Sequence, residues 1–501
     1  MSIYKEIIKA KDDSLIPVFN NNKTMHSKYS PLREAESFGE DIKDSTSFIV
    51  ILGLGGGYHI ESFMKRHKDS FIIVIENSVE DINFLNQIPC VKKLSNSKSV
   101  KIIDSYSISE TLKNFYLPAV YGGINIISNR AWYESNPDIA ENIITQINQT
   151  IKEISRDYSV QCHFGQIWQK NIISNLKICS TLNSSTFKID TAKTAAIIAA
   201  GPTLDQSINK LIENRDKYFV IATDTALSVL KKHKIKTDAV ISIDGQNISY
   251  KHFIAPCDEH TLYVFDLQAN YSAVNFVKAH TDNIIFIKSG HPLCNFAEQY
   301  CKISNFKSID SGAGTVTIAA IDFAHKTGFS NFEVFGADFS YRNNKPYTKG
   351  TYLDCLYRQD ETKINPAENH FSNLIYRTEI SKENNIIHNE ILDLYKSTFI
   401  NWIETNNFTY KYDNNIYIIN SGSTKSNSSC LLKAPDFDFN SFKTYLTSIR
   451  RKYLALETIN HHDDFILCLL PFISFIRTKN QNLDFTSAVK LALTKILEYN
   501  S

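Results

Sequence analysis

A turn of residues suited to binding a phosphate, Gly201-Pro202-Thr203, follows the apolar segment at 197–200. Glycine lets a bound group approach the backbone closely, and proline fixes the φ angle of the turn. Thr203 supplies a hydroxyl and begins a predicted helix, whose first N–H groups have no partner within the helix and suit an anion. With Ala200 before it, this turn predicts a site where the backbone at Gly201 lies against the ribose-phosphate of a nucleotide.

Polar residues also follow the later apolar segments of the same region. They are Asp224, Asp244, Ser311 with Gly312, and Asp338. Because the carboxyl ends of parallel strands meet at one edge of a sheet, we expect these turns to converge with the glycine turn and to bind the same ligand. Carboxylates accept hydrogen bonds, so Asp224 and Asp244 suit ribose hydroxyls or a base amino group. The alternative for each residue alone is an ordinary helix N-cap.

A second glycine-rich turn, GLGGGYH, follows the apolar run that starts at Phe48. A helical pattern and a second apolar run ending in Glu76 come next. Strand, glycine turn, helix and strand with an acidic tip are typical of a nucleotide-binding βαβ unit. Gly53, Gly55 and Gly57 would then border a second nucleotide site, with Glu76 on a ribose hydroxyl, and a methyltransferase would present a similar pattern. The alternative is that these glycines serve only strand-to-helix packing.

The elements that must position both turns repeat along the chain as short apolar strands alternating with helices. This alternation predicts an α/β fold of two Rossmann-like, doubly wound units in tandem, followed by a helical C-terminal region. We expect an N-terminal domain over 1–155, a central domain over 156–435 and a helical domain over 436–501. A chain of 501 residues is long enough for several cores.

The composition is that of a globular protein, with 43% hydrophobic and 21% charged residues. The net charge of +1 gives no indication of a nucleic-acid or anionic-membrane partner. The N-terminal segment has no apolar signal core, and the longest apolar run, from Ile466, is short and contains a proline. We therefore expect a cytoplasmic protein.

The cysteines and acidic clusters give no metal or disulfide pattern. Nine cysteines lie far apart without a Cys-x-x-Cys pair, which is typical of reduced, mostly buried thiols. The segment PDFDFN at 435–440 contains an Asp-x-Asp, but it follows a proline in a predicted linker. HHDDF at 461–465 places ligand-type side chains on adjacent residues, which do not share a helix face. We expect no bound metal.

Three segments of the central region, taken in order, resemble the Maf (motility accessory factor) flagellin glycosyltransferases. They are AAGPTLD, the pair IATDTALSVL and KTDAVISIDGQ, and SGAGTVTIAAIDFAHKTGFSNFEVFGADFSY. The resemblance covers roughly 161–420, and the GLGGGYH unit is similar to the N-terminal domain of the same proteins. It implies a core like that of bacterial sialyltransferases, within the 6-hydroxymethylpterin pyrophosphokinase-like superfamily. Their GxGPSL turn cradles CMP, and 200–204 match it here.

The same resemblance implies roles for residues after the Asp338 turn. Tyr341 and Tyr347 match the tyrosines that steady the donor phosphate, and His370 matches the histidine that acts as general base. His370 could instead be a solvated loop residue. Lys345, Lys349 and Arg358 could bind the sugar carboxylate or keep the loop soluble.

The resemblance departs from the sialyltransferase pattern at two positions of the donor site. Asp224 and Asp244 stand where the sialyltransferases place asparagine on the nucleotide, which leaves the base open.

The resemblance implies transfer of a nonulosonic acid, of pseudaminic or legionaminic type, from a CMP-activated donor to Ser or Thr of flagellin before export. The implied reaction is inverting and requires no metal or other cofactor. The predicted C-terminal helices are the candidate element for holding the acceptor protein. Two alternatives remain open: a transferase like the pterin pyrophosphokinases, and a non-catalytic factor that binds flagellin. Chain length argues against the first, because that family is about the size of the central domain alone.

Overall fold

The structure, a computed structural model, describes residues 2–42, 47–183, 186–254, 257–300, 306–312, 314–359, 361–422, 429–496 and 498. The chain forms two compact units. The first unit comprises Met1–His163 and Ile473–Ala488, and the second comprises Phe164–Phe472 and Val489–Ser501. The predicted C-terminal segment 436–501 thus contributes to both units, and the boundaries near 155 and 435 stay predictions.

The first unit contains a parallel sheet and an antiparallel strand pair. Its strands are β1 (Tyr4–Lys9), β2 (Leu15–Phe19), β3 (Phe48–Leu52), β4 (Phe71–Glu76), β5 (Val100–Asp104) and β6 (Asn125–Ser128). Its helices are α1 (Pro31–Glu36), α2 (Tyr58–Arg66), α3 (Val79–Leu85), α4 (Pro89–Ser95), α5 (Ile108–Phe115), α6 (Pro118–Tyr121), α7 (Arg130–Ser135) and the first part of α8 (Pro137–Cys179).

The parallel sheet of the first unit has the strand order β5-β4-β3-β6. Every residue of β3 is fully buried, as expected for an apolar strand covered on both faces by helices. The strand order reverses at β3, because β4 lies on one side of it and β6 on the other. β1 and β2 pair antiparallel to each other.

The second unit contains most of the strands and the remaining helices. Its strands are β7 (Thr186–Asp190), β8 (Thr194–Ile198), β9 (Tyr218–Thr223), β10 (Ala239–Ser242), β11 (Leu262–Asp266), β12 (Ile284–Lys288), β13 (Lys307–Ser308), β14 (Asn331–Phe335), β15 (Tyr341–Arg342), β16 (Ser381–Glu383), β17 (Ile386–His388), β18 (Thr409–Asp413), β19 (Ile416–Asn420) and β20 (Ser429–Lys433).

The helices of this unit follow and separate those strands. They are α9 (Leu204–Glu213), α10 (Asp224–Lys232), α11 (Tyr271–Lys278), α12 (Pro292–Tyr300), α13 (Val316–Thr327), α14 (Tyr352–Gln359), α15 (Ala367–Ile375), α16 (Glu390–Thr405), α17 (Phe439–Leu454), α18 (Asp464–Lys479) and α19 (Phe485–Lys495). The last two cross the boundaries between the units near 472 and 488. Short 3₁₀ helices cover Arg215–Lys217 and Asn247–Phe253.

The large sheet of the second unit has, within the described residues, the order β13-β12-β11-β10-β9-β8-β14-β19-β18. The strands from β13 to β14 in that order are parallel, and β19 and β18 add an antiparallel edge. From β8 to β13 the chain builds outward in one direction, and β14 then returns to the free side of β8. The order of the strands therefore reverses at β8, which is where ligands bind in open sheets of this kind.

The predicted α/β class with parallel sheets is confirmed, and the tandem Rossmann-like description stays a prediction. No helix in the described ranges is long and apolar enough to cross a membrane. The eight cysteines in the described part of the chain form no disulfide with one another, and Cys301 lies outside it.

Candidate functional site

A cavity of about 350 Å³ opens in the second unit where the strand order reverses. The turns after β8 and β14, which are neighbouring parallel strands, form one side of it. These turns contribute Ala199, Ala200, Gly201, Gly336, Ala337 and Asp338. The predicted residues Ala200, Gly201 and Asp338 therefore lie together in the lining. A cavity of this size at the carboxyl ends of parallel strands is a typical small-molecule site.

The two turns are in direct backbone contact. The Gly201 N–H donates to the Gly336 carbonyl at 2.8 Å, and the Ala199 N–H donates to Phe335 at 2.8 Å. A β-carbon on Gly201 would overlap the Asp338 carboxylate and the Gly336 carbonyl. Gly336 has φ +65°, and a β-carbon there would lie 2.5 Å from the Ala199 carbonyl oxygen. Glycine is thus required at both positions by the protein's own packing, not only by a ligand.

Asp338 joins the turn after β14 to the start of α9. Its Oδ2 accepts hydrogen bonds from the Thr203 N–H at 3.0 Å and the Thr203 hydroxyl at 2.9 Å. Its Oδ1 lies 2.9 Å from Arg342 Nε, and the side chain is 2% exposed. Burial raises the pKa of the Asp338 carboxyl, against the lowering effects of the Thr203 hydrogen bonds and Arg342. The predicted phosphate contact of Thr203 is therefore replaced by an internal one, since Asp338 occupies both of its donors.

The residue after Asp338 has an unusual backbone conformation. Phe339 has φ +47°, in the left-handed region that non-glycine residues rarely adopt. It also lines the cavity. Strain of this kind persists where the surrounding structure fixes it, often at a functional site.

The aspartates predicted in two other turns are not in the described lining of the cavity. Asp224, the first residue of α10, is buried and accepts from Ser242 Oγ and from the Thr225 N–H, both at 2.6 Å. Thr225 lines the cavity in its place. Asp244 accepts from the Gln246 N–H at 2.8 Å, and burial raises its pKa. Both carboxylates therefore accept local hydrogen bonds without capping a helix, and neither residue is in the described lining of the cavity.

Three further residues that were predicted to bind the donor substrate also lie outside the described lining of the cavity. Pro202 borders a smaller cleft beside Arg342. Ser311 and Gly312 precede α13, and the Ser311 carbonyl accepts from the Thr315 N–H at 2.8 Å. Val316 and Thr317, the first residues of that helix, line the cavity instead.

Three tyrosines also line the cavity. The predicted residues Tyr341 and Tyr347 line the cavity, together with Tyr395 of α16, which the sequence interpretation did not include. Tyr347 is 37% exposed. Burial raises its pKa, and the nearby Tyr341 and Tyr395 add to that effect. Tyr347 is therefore protonated at neutral pH and can donate a hydrogen bond to an oxyanion.

The predicted general base lies beside the cavity and not in its lining. His370, on α15, stacks on Tyr357 with ring centroids 4.9 Å apart, and its Nε2 lies 3.3 Å from Asn365 Nδ2. Leu374 lines the cavity and is four residues after His370, so the two share a face of α15. The role of His370 stays a prediction.

The predicted carboxylate-binding cations are placed elsewhere, and a different cation is present. Arg358 pairs with Asp354 at 2.9 Å, while Lys345 and Lys349 are exposed and absent from the described lining. Arg377, just after α15, lines the cavity. No local motif marks it, because its position depends on how α15 and α16 fold over the sheet.

The glycine turn of the first unit is packed with side chains of that unit. Gly53, Gly55 and Gly57 all have positive φ, which explains their identity. A β-carbon would lie 2.6 Å from the Trp132 ring at Gly53 and 2.6 Å from the Met25 sulfur at Gly55. Packing within the unit therefore suffices to explain these glycines, and the second nucleotide site stays a prediction.

Glu76, predicted to bind a ribose hydroxyl, is fully buried. It accepts hydrogen bonds from Tyr4 at 2.9 Å, the Leu54 N–H at 3.0 Å and Trp132 Nε1 at 2.8 Å. Burial raises its pKa. These internal donors replace the expected ribose contact.

Among the described residues, no cluster of three or more His, Cys, Asp or Glu side chains could hold a metal ion. Asp438 of the Asp-x-Asp segment caps α17 by accepting from the Ser441 N–H at 3.1 Å. Asp463 accepts from the Phe465 N–H at 3.0 Å in the turn before α18.

Comparison with known proteins identifies a matching family for part of the chain and two relatives. Residues 168–344 match the model of the 6-hydroxymethylpterin diphosphokinase MptE-like family. An uncharacterised protein of Treponema pallidum (strain Nichols) is 34% identical over 149 residues, which cover 30% of this chain and 71% of that protein. A second uncharacterised protein of the same organism is 36% identical over 140 residues, covering 27% of this chain and 49% of its own length.

One solved structure has a weak likeness to the whole chain. The MAf glycosyltransferase from Magnetospirillum magneticum AMB-1 aligns with 100% of this chain and 86% of its own, at 12% identity and a TM-score of 0.49. That likeness establishes neither activity nor ligand. Residues 168–344 therefore form a domain of the MptE-like family, and the chain is a relative of the first Treponema pallidum protein.

Proposed function

We propose that this protein is a glycosyltransferase that uses a nucleotide-activated sugar. Its donor is a CMP-linked nonulosonic acid, of pseudaminic or legionaminic type, and its acceptors are Ser or Thr hydroxyls of flagellin before export. The cavity at the strand reversal carries this proposal, because the Gly201 and Asp338 turns line it together with Tyr341 and Tyr347. The sequence resemblance to the Maf glycosyltransferases supplies the donor and the acceptor.

The lining residues suit departure of a phosphate. As the bond to the sugar breaks, negative charge develops on the leaving CMP, and phenol O–H groups can donate to it. Tyr341 and Tyr347 fill this role, since both line the cavity and phenol groups are protonated at neutral pH. The reaction is an inverting displacement that needs no metal.

The acceptor hydroxyl must lose its proton during the attack. Asp338 is poorly suited to take it, because its carboxylate is buried and already bonded to Thr203. We keep His370 as the proposed base, since it shares the α15 face of the cavity-lining Leu374.

A second function is favoured by the family match itself. The matched family is described as 6-hydroxymethylpterin diphosphokinase MptE-like, so the cavity could serve pyrophosphate transfer to a pterin alcohol. The match covers 168–344, whereas the cavity also draws on Tyr347 and Tyr395 beyond it. A third possibility is a non-catalytic factor that binds flagellin.

Calorimetric titration with CMP, CDP, GDP, UDP, ATP and S-adenosylmethionine separates these functions. The variant Ile391→Trp would obstruct the cavity, because Ile391 lines it and is 48% exposed. Leu394→Trp is the matched control, on the same helix, 50% exposed and outside the described lining. We expect cytidine nucleotides to bind the native protein and Leu394→Trp but not Ile391→Trp. Selective ATP binding would favour the pterin function, and no nucleotide binding would favour the assembly factor.

An activity assay tests the base. Flagellin incubated with the CMP-sugar should gain the mass of the sugar with the native protein and lose that gain with His370→Ala. Flagellin binding should persist in the variant. Undiminished transfer by His370→Ala would remove His370 from the reaction.

A further inference from the structure

Arg377 is an exposed, charged residue that lines the cavity and has no partner among the described residues. It makes no ion pair and no side-chain hydrogen bond to a described residue, whereas Asp338, the other charged residue in the described lining, pairs with Arg342 and Thr203. The remaining described lining is neutral. The cavity is therefore suited to a ligand with an anionic group near Arg377.

The segment that carries Arg377 is held in place by its neighbours. Asn389 Nδ2 donates to Thr378 Oγ1 at 3.2 Å, and Asn389 Oδ1 accepts from the Leu392 N–H at 2.9 Å. Asn389 thus ties the residue next to Arg377 to the first turn of α16. Thr378, Asn389 and Leu392 all line the cavity. This tie limits the backbone freedom of Arg377, which favours preorganised recognition of a ligand.

The residues that line the cavity come from two parts of the sequence. The Gly201 and Asp338 turns lie within the matched segment 168–344, whereas Arg377 comes after it. Leu374 of α15 and Ile391 of α16 line the same cavity as the phenols that are proposed to contact the phosphate. Guanidinium groups bind carboxylates through two parallel hydrogen bonds, which gives both affinity and orientation.

We propose that Arg377 binds the carboxylate of the donor sugar and thereby selects acidic over neutral sugars. This inference rests on the proposed glycosyltransferase function and assigns one determinant of its specificity. Arg377 replaces Lys345, Lys349 and Arg358 as the carboxylate-binding residue, since Arg358 is paired and the lysines lie outside the described lining.

The test compares CMP with CMP-N-acetylneuraminic acid, and with the methyl ester of that sugar, by calorimetry. For Arg377→Met we expect an unchanged Kd for CMP and a Kd for the acidic sugar nucleotide weakened about 10-fold to 100-fold. The ester should bind the native protein about as weakly, with no further loss in the variant. Arg377→Lys should retain part of the affinity, and the exposed control Lys345→Met should behave like the native protein.

The outcomes separate this inference from the proposed function. If the native protein binds CMP and Arg377→Met binds the acid as tightly as the native protein does, the inference is wrong while the transferase proposal stands. Equal weakening of CMP and the CMP-sugar would also overturn it, because the loss would then lie at the nucleotide. If the native protein binds no cytidine ligand, both fall. Thermal unfolding of each variant checks that the fold is unchanged.

Discussion

At the residue scale, Gly201 has no room for a β-carbon, because the Asp338 carboxylate and the Gly336 carbonyl occupy that position. We predict that Gly201→Ala destabilises the protein by about 1–3 kcal/mol, the usual cost of overpacking a filled site. Urea unfolding measures this loss. The control is Gly123→Ala, since no heavy atom lies within 4 Å of a β-carbon at Gly123. Equal midpoints for the two variants would show that the turn can open without cost.

Asp266, at the end of β11, makes stability depend on pH. It is fully buried, and burial raises its pKa from 3.8 to about 6. A raised carboxyl pKa means that the folded state favours the protonated form. The contribution of Asp266 to folding stability is therefore largest below pH 4, and this contribution is lost as pH rises through about 6.

We predict that Asp266→Asn raises the thermal unfolding midpoint at pH 7.5 and changes it little at pH 4. A shift of about two pKa units corresponds to at most ~3 kcal/mol. The amide oxygen can still accept from the Gln268 N–H, which the Asp266 carboxylate does at 2.7 Å. The exposed Asp216→Asn is the control. A variant that is less stable at pH 7.5 would mean that the buried carboxylate is stabilised by its hydrogen bonds.

Single residues show which parts of the site could be predicted from sequence. Ala200, Gly201 and Asp338 each follow an apolar strand. This place in the sequence was enough to predict that they lie at one edge of the sheet. Asp224 has the same pattern but is used as an internal acceptor, and a lone sequence does not distinguish the two uses. Arg377 has no strand-end signal, because its place depends on the packing of α15 and α16.

At the element scale, the apolar runs predicted parallel strands but not their order. β8 and β14 are separated by more than 130 residues of chain and still pair directly, with Ile197 opposite Val334. The order depends on which helices cover which face, and local hydrophobicity does not record this. The sequence therefore does not predict the contact between Gly201 and Asp338. It predicts a nucleotide phosphate beside Gly201 instead.

The second half of α8 fixes the turn after β11. Asn175 is fully buried and donates through Nδ2 to the Leu267 carbonyl at 3.0 Å and the Ala269 carbonyl at 2.8 Å. We predict that Asn175→Ala costs about 2–4 kcal/mol, because two buried carbonyls lose their donor. Asn142→Ala, an exposed position on the same helix, is the control for helix propensity. Urea unfolding of both variants measures the difference, and matched midpoints would mean that water replaces the amide.

At the scale of the whole molecule, the two units share a reversal of strand order but differ in what lies beside it. Each contains a parallel sheet whose strand order reverses, at β3 in the first and at β8 in the second. At β8 a cavity of about 350 Å³ is left open, while at β3 Trp132 and Met25 occupy the space beside the glycines. A glycine-rich strand turn thus indicates close approach of some group, and the side chains nearby decide whether that group is a ligand.

This difference predicts one nucleotide site per chain. Calorimetry should give a stoichiometry of one for the cytidine nucleotide and no binding of S-adenosylmethionine. Glu76→Gln should lower the thermal midpoint, because both carboxylate oxygens accept hydrogen bonds and the amide nitrogen would face the donors of one of them. It should leave nucleotide affinity unchanged, since Glu76 shares no partner with the cavity residues. A stoichiometry of two, or nucleotide binding lost in Glu76→Gln, would show that the glycine turn of the first unit opens to a ligand.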